Sequence, residues 1–152
     1  MKINLILNGH PLSGYTNVDP HGFGEAGKVV GDFTNLDDIV EDSEATEILA
    51  LDVIDFLEPD SIEKTISHWV SKLRRGGKIV IGGRDLWQIS KAVYYKLIDI
   101  KEANEAIRGG GDFARFNQST IQELISVLES HNLKILKKRI NKFDISVEAQ
   151  RP

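Results

Sequence analysis

Short apolar runs alternate with stretches of helical periodicity along most of this 152-residue chain. That alternation constrains the architecture more than any other feature. Ile3 to Leu7, Ile48 to Leu51 and Lys78 to Ile81 have strand length and end at turn residues. Between the last two, Ile62, Ile66, Trp69, Val70 and Leu73 recur at helical spacing. Asp60 and Glu63 form a candidate capping box ahead of them, and Arg74, Arg75 and Gly76-Gly77 follow as a candidate helix end. A long amphipathic stretch over 86–108 places Leu86, Ile89, Val93, Leu97, Ile100 and Ile107 on one stripe, until Gly109-Gly110-Gly111 breaks it. A last helix starts near Ser119, with Gln122 in capping-box position, and buries Ile121, Leu124, Ile125 and Leu128. Strands alternating with helices imply a parallel sheet covered on both faces.

Three weaker elements complete the order. Tyr15 to Asp19 reads as a short extended segment, Val29-Val30 as a further strand, and Leu36, Ile39 and Val40 as one face of a short helix. The first of these sits oddly, because parallel neighbours normally need a dozen or more connecting residues and Leu7 and Thr16 are closer than that. At the other end, Leu133–Ile140 and Phe143–Ala149 are separated only by Asn141-Lys142 and should pair as an antiparallel hairpin. The expected fold class is therefore α/β: a three-layer, doubly wound, mostly parallel sheet with a C-terminal antiparallel hairpin. One domain should span residues 1–152.

Composition removes several classes of function. There is no cysteine, so thiolate chemistry and disulfides are excluded. No run approaches the roughly 18 apolar residues of a membrane span, and no secretory signal is visible. A cytoplasmic protein without a membrane partner is the expectation. Residues 1–60 hold 13 acidic and 2 basic residues, whereas 61–152 hold 10 acidic and 17 basic. An acidic N-terminal half suits a cationic ligand better than a phosphate-rich one. Neither a G-x-G-x-x-G turn nor a phosphate-binding loop follows the first strand, which argues against dinucleotides. A pI of about 5.6 does not favour nucleic acid. His21 and His131 have no partners at metal-ligand spacing, so no metal site is expected.

In open α/β sheets, ligands bind outside the carboxyl ends of the strands. Those ends are Asn8-Gly9-His10, Asp19, Asp32, Leu51-Asp52 and Gly82 to Asp85. Asp19 and Asp32 can accept hydrogen bonds from ribose hydroxyls or an adenine amino group, or they can cap turns.

At this point the residues suggest a family. Leu7-Asn8-Gly9, then Pro11-Leu12-Ser13-Gly14-Tyr15-Thr16-Asn17-Val18-Asp19, resembles the opening of small class I S-adenosylmethionine-dependent methyltransferases. Gly31-Asp32-Phe33-Thr34-Asn35-Leu36 is similar to the segment after their third strand. Glu47 to Leu57, Leu73 to Ile79, Asp85-Leu86, Phe116 to Leu133 and Val147-Glu148-Ala149 follow in the family's order, so the resemblance covers nearly the whole chain. It implies a Rossmann-like methyltransferase fold and S-adenosylmethionine as cofactor. By position, it implies that Asn8, Gly9 and His10 line the methionine end and that Asp19 holds the ribose hydroxyls. Asp32 and Phe33 would flank the adenine, and Leu51 and Asp52 would sit near the transferring methyl. The chain departs from the pattern in keeping only Gly9 of the family's glycine triplet, and in having Asp52 and Phe56 where the family carries histidines, with Asp55 between them.

Methyl transfer needs alignment above all, with a base where the acceptor is a hydroxyl. Asp52, Asp55 and His10 are the candidate catalytic residues. A small molecule or glycan is the expected acceptor, and a homo-oligomer is compatible with the sequence. The stretch Gly109 to Arg115 is a candidate lid. Lys91, Lys96, Lys101, Arg108 and Arg115 can attract an anionic acceptor or simply face water. Trp69 reads as core, whereas Trp87, Tyr94 and Tyr95 can line an acceptor pocket, with core packing the stronger reading. The alternatives are a catalytically inactive, methyltransferase-like binding or assembly module, and a nucleotide-binding enzyme of another doubly wound type.

Overall fold

The computed structural model describes residues 1–109 and 113–152. Its strands are β1 (Lys2–Leu5), β2 (Thr16–Val18), β3 (Lys28–Val29), β4 (Ala45–Ala50), β5 (Leu73–Arg84), β6 (Lys134–Asn141) and β7 (Asp144–Gln150). Its helices are α1 (Ile62–Lys72), α2 (Leu86–Tyr94), α3 (Ile100–Arg108) and α4 (Ile121–Ser130). The sheet runs β3-β2-β1-β4-β5-β7-β6. β1 to β5 are parallel, and β7 is antiparallel to both β5 and β6. The chain steps outward from β1 to β3 and returns to β4 on the other side of β1, so the topological switch point lies between β1 and β4. The α/β class, the mostly parallel sheet and the closing hairpin are as the sequence implies.

The helical cover is uneven. Ile3, Ile48, Ile79 and Ala149 align across four strands, with Ala50, Ile81 and Val147 in the next row. All are buried in one core with Trp69 of α1 and Leu128 of α4. The opposite row carries Lys2, Glu47 and Lys78, then Leu49, Val80 and Glu148, and these stay exposed or half-buried. Ion pairs Lys2–Glu47 and Lys78–Glu148, each 3.2 Å, cross this face. Among the described residues, then, the two helices that join the sheet core, α1 and α4, pack on one face, where alternation implied cover on both, and α2 and α3 form a separate cluster. The cause is the length of two connections. Residues 6–15 join β1 to β2 and residues 19–27 join β2 to β3, too few for crossover helices.

Asn17 does locally what a helix would otherwise do. Its buried side chain accepts from the Leu12 N–H at 2.8 Å and donates to the carbonyls of Leu12, Tyr15 and Gly27. Asn4 donates to the same Asn17 oxygen at 2.9 Å. One amide therefore satisfies backbone groups of both short crossovers and lets the three-residue β2 stay in the sheet.

Other boundaries differ from the sequence reading. Leu36 to Val40 forms turns rather than a helix, although Leu36 and Val40 are buried. Asp60 lies in a 3₁₀ turn before α1, and Ser61 at the cap does not cap the helix with its side chain, whose Oγ donates back to the Glu58 carbonyl at 2.9 Å. The helix stops at Lys72, so Arg74 and Arg75 already belong to β5. Gly77 permits a close approach there, since a Cβ would lie 2.8 Å from the Arg74 carbonyl oxygen and 2.9 Å from that of Ala45. The 86–108 stretch divides in two. Lys96 turns with φ 57°, and Asp99 caps α3 by accepting from the Glu102 N–H at 2.8 Å. Ile89, Ala103 and Ala106 form a small second cluster, whereas Leu86, Leu97 and Ile100 of the supposed stripe are exposed. Gly110, Gly111 and Asp112, the middle of the candidate lid, lie outside the described residues.

Candidate functional site

The carboxyl ends of the strands border two adjoining hollows of ≈ 330 and ≈ 450 Å³. Leu7, Asn8, Asp52, Phe56, Arg84, Gly109, Phe113 and Arg115 line the first. Leu7, Pro20, His21, Phe33, Phe56, Phe113, Ala114 and Phe116 line the second. Leu7, Phe56 and Phe113 belong to both, which makes one elongated cleft with a charged end and an aromatic end. Its size is in the range of small-molecule sites, roughly 300–1,000 Å³.

At the charged end, the chain leaves β4 through a single 3₁₀ turn, Ile54–Phe56, that buries Asp55. The Oδ2 of Asp55 accepts from the Arg84 backbone N–H at 3.0 Å and from Arg115 Nη1 at 2.7 Å. Its backbone carbonyl accepts from the N–H groups of Phe116 and Asn117, at 2.7 and 3.1 Å, and so pins the segment that carries Arg115. Arg115 also forks onto Asp52, with Nη1 at 2.8 Å and Nη2 at 2.9 Å from its two oxygens. The guanidinium lies 4.7 Å over the Phe56 ring. Gly83 leaves room for this cluster, because a Cβ there would come within 2.9 Å of Asp55 Oδ1. Burial pushes the Asp55 carboxyl above its ordinary range, against the opposing pull of the Arg84 N–H and Arg115. Burial also works against the charge of Arg115, but the two aspartates outweigh it and hold the guanidinium above its ordinary value. Asp55 Oδ1 has no hydrogen-bond partner among the described residues.

Comparison with known proteins addresses the fold. No protein-family model matches the sequence, and no curated protein sequence does. Solved structures do match. One is an S-adenosylmethionine-dependent methyltransferase from Archaeoglobus fulgidus, 11% identical, with a TM-score of 0.63 over 90% of this chain and 76% of that one. A second, from Methanosarcina mazei, is 15% identical with a TM-score of 0.59, covering 91% of this chain and 82% of that one. A third is the 1,6-didemethyltoxoflavin-N1-methyltransferase of Burkholderia thailandensis, solved with 1,6-didemethyltoxoflavin and S-adenosylhomocysteine bound. It is 11% identical with a TM-score of 0.58, covering 99% of this chain and 71% of that one. The chain has the class I S-adenosylmethionine-dependent methyltransferase fold.

Within this methyltransferase fold, the residues singled out from sequence separate into three groups. Asn8, Phe33 and Asp52 line the cleft, and Asp55 stands behind it holding Arg115. Asp19 sits at the end of β2 but is sealed in. Its Oδ2 accepts from the Asn8 N–H at 3.1 Å and from Lys28 Nζ at 3.0 Å, its Oδ1 accepts from the His21 N–H at 2.9 Å, and it has 0% exposure. A carboxylate so engaged has no accessible surface to offer a ribose. Asp32 is exposed, and its Oδ1 accepts from both the N–H and the hydroxyl of Thr34, a turn-capping role that leaves Oδ2 outside the turn. Gly9, His10 and Leu51 belong to neither lining set, and His10 and Leu51 are exposed. The loop through Pro11 turns towards Gly27 on the far side of β2 instead of entering the cleft.

Phe56, Phe113 and Arg115 complete the site, and the first two were not read from sequence as ligand contacts. Arg115 had a signal, as the last residue of the candidate lid and one of five basic residues on or beside the preceding helix. Phe113 packs against the His21 ring, with centroids 5.0 Å apart, so the chain after α3 closes one side of the aromatic end.

Proposed function

We propose that the cleft binds S-adenosylmethionine and that the protein transfers its methyl group to a small-molecule or glycan-type acceptor. The observation that carries this reading is the cleft itself: an aromatic hollow and a carboxylate cluster joined across the switch point of a methyltransferase fold. Phe33, Pro20, His21 and Phe56 offer apolar faces to an adenine. Asn8, Asp52 and Arg84 offer polar groups to the amino-acid end. Asp32, whose turn uses only Oδ1, is a better ribose partner than the sealed Asp19. The cofactor supplies an electrophilic methyl carbon when bound, and the protein's contribution is alignment. Asp52, at 57% side-chain exposure, is placed to take a proton from an acceptor hydroxyl, while Asp55 positions Arg115.

A second reading has its own support. With Asp19 sealed and Asp52 and Asp55 both paired with Arg115, the chain also suits a module that keeps the fold without catalysis. Calorimetric titration with S-adenosylhomocysteine separates the two. Saturable binding that weakens roughly tenfold in Phe56→Ala, as loss of an aromatic contact predicts, supports the enzyme. Absence of heat up to about millimolar ligand supports the module.

A further inference from the structure

The segment from Leu86 to Ile98, which forms α2 and the turn after it, carries Lys91 and Lys96 and no acidic residue, in a chain of net charge −4. Ile89 is buried, but the aromatic side chains of the segment and Leu97 face outward. Trp87 is 56% exposed, Tyr94 79%, Tyr95 62% and Leu97 74%, and Ile100 at the start of α3 is 66% exposed. Trp87, Lys91 and Tyr94 stand at i, i+4 and i+7, one face of α2. Tyr95, Leu97 and Ile100 extend that face round the turn, and Tyr94 and Tyr95 meet edge to face at 5.1 Å. None of these side chains lines the cleft. Contiguous exposed apolar surface of this kind marks an interaction site.

We propose that this α2–α3 corner docks on an anionic bilayer surface. The chemistry fits that occupant on two counts. Indole and phenol rings combine an apolar body with a polar edge and settle at the boundary between headgroups and acyl chains. Lys91 and Lys96 can meet lipid phosphates, and the exposed acid that adjoins them, Asp99, is engaged in capping α3, where its Oδ1 accepts from the Glu102 N–H at 2.8 Å. Docking here needs no spanning segment. No helix among the described residues is long and apolar enough to cross a membrane, and a helix lying in the interface is not required to be.

The two tryptophans make the test selective. Trp69 is fully buried, its Nε1 donating to the Phe33 carbonyl at 2.8 Å, so a change in emission on docking reports Trp87. The full chain is mixed with vesicles of phosphatidylcholine alone, and with vesicles of phosphatidylcholine and phosphatidylglycerol in equal parts, and is followed by sedimentation and fluorescence. The expected result is co-sedimentation with the anionic vesicles only, a blue shift absent from Trp87→Phe, and a loss of affinity of roughly fivefold per lysine in Lys91→Gln and Lys96→Gln. Tyr95→Ser with Leu97→Ser should abolish docking while the far-ultraviolet circular dichroism stays unchanged. Failure to sediment with anionic vesicles overturns the proposal, as does equal binding to both compositions. Concentration-dependent self-association that hides Trp87 without any lipid overturns it in favour of a dimer.

Discussion

Two aspartate clusters sit on the same edge of the sheet and behave in opposite ways. Asp19, at the end of β2, receives its partners from close sequence neighbours: the Asn8 and His21 N–H groups and Lys28. Lys28 is also held by Glu25, and the two carboxylates raise its pKa, Glu25 contributing most. Asp52 and Asp55, at the end of β4, receive theirs from Arg115, more than fifty residues away, on a segment that adjoins the triple glycine. The same residue type at equivalent strand ends is a rivet in one place and one wall of a cleft in the other. The determinant is where the donor comes from. A donor fixed by a short crossover leaves no room for a ligand, whereas a donor delivered by a distant segment borders open space.

Substitutions in the two clusters should therefore have different consequences. The largest effect is expected from Asp19→Ala, which leaves the Asn8 and His21 N–H groups without their acceptor. A loss of about 2–4 kcal/mol in urea unfolding follows from two such groups. Arg115→Ala should cost less, about 1–3 kcal/mol, because Asp55 can hold a proton where Lys28 would keep its charge. In ligand binding the same variant should gain, favouring the cationic S-adenosylmethionine over the neutral S-adenosylhomocysteine by roughly fivefold more than wild type, the scale of one exposed ion pair. An unchanged ratio would show that Arg115 does not screen these carboxylates.

The pH dependence is a finer test. A carboxyl whose folded pKa is raised contributes stability that is full below its unfolded pKa and lost as pH rises through the folded value. Stability should therefore fall as pH climbs from the ordinary aspartate range through the raised Asp55 value. Urea melts of Asp55→Asn at a series of pH values should lack that component. The smallest effect is expected from Asp52→Asn. Asp52 is largely exposed, so stability should change by less than about 1 kcal/mol, while methyl transfer to a hydroxyl acceptor falls.

The contrast also explains what could be read from sequence. Strand and helix periodicity located β1, β4, β5, α1, α4 and the closing hairpin, because each element's own residues carry the signal. The one-sided helical cover was visible only as an anomaly, the short span from Leu7 to Thr16. Its resolution rests on the Asn17 side chain bonding the carbonyls of Leu12, Tyr15 and Gly27, contacts that strand and helix periodicity do not report. Asp19, Asp32 and Asp52 were all legible as strand-end carboxylates. Which of them is sealed depends on Lys28 and Arg115, and nothing in local spacing encodes those contacts. The outward face of α2 was hidden for a different reason. Apolar spacing reports that a helix has an apolar stripe, not that anything covers it.

The proposed cofactor cleft lies between the ends of β1 and β4, lined by Phe33, Phe56 and Asp52. Backbone amide chemical-shift mapping during titration with S-adenosylhomocysteine tests it most directly. Perturbations should concentrate at Leu7, Asn8, Phe33, Asp52, Phe56 and Phe113, with Lys78, Val80 and Glu148 on the open sheet face unmoved. Shifts confined to that open face, or no shifts at saturating ligand, would contradict it.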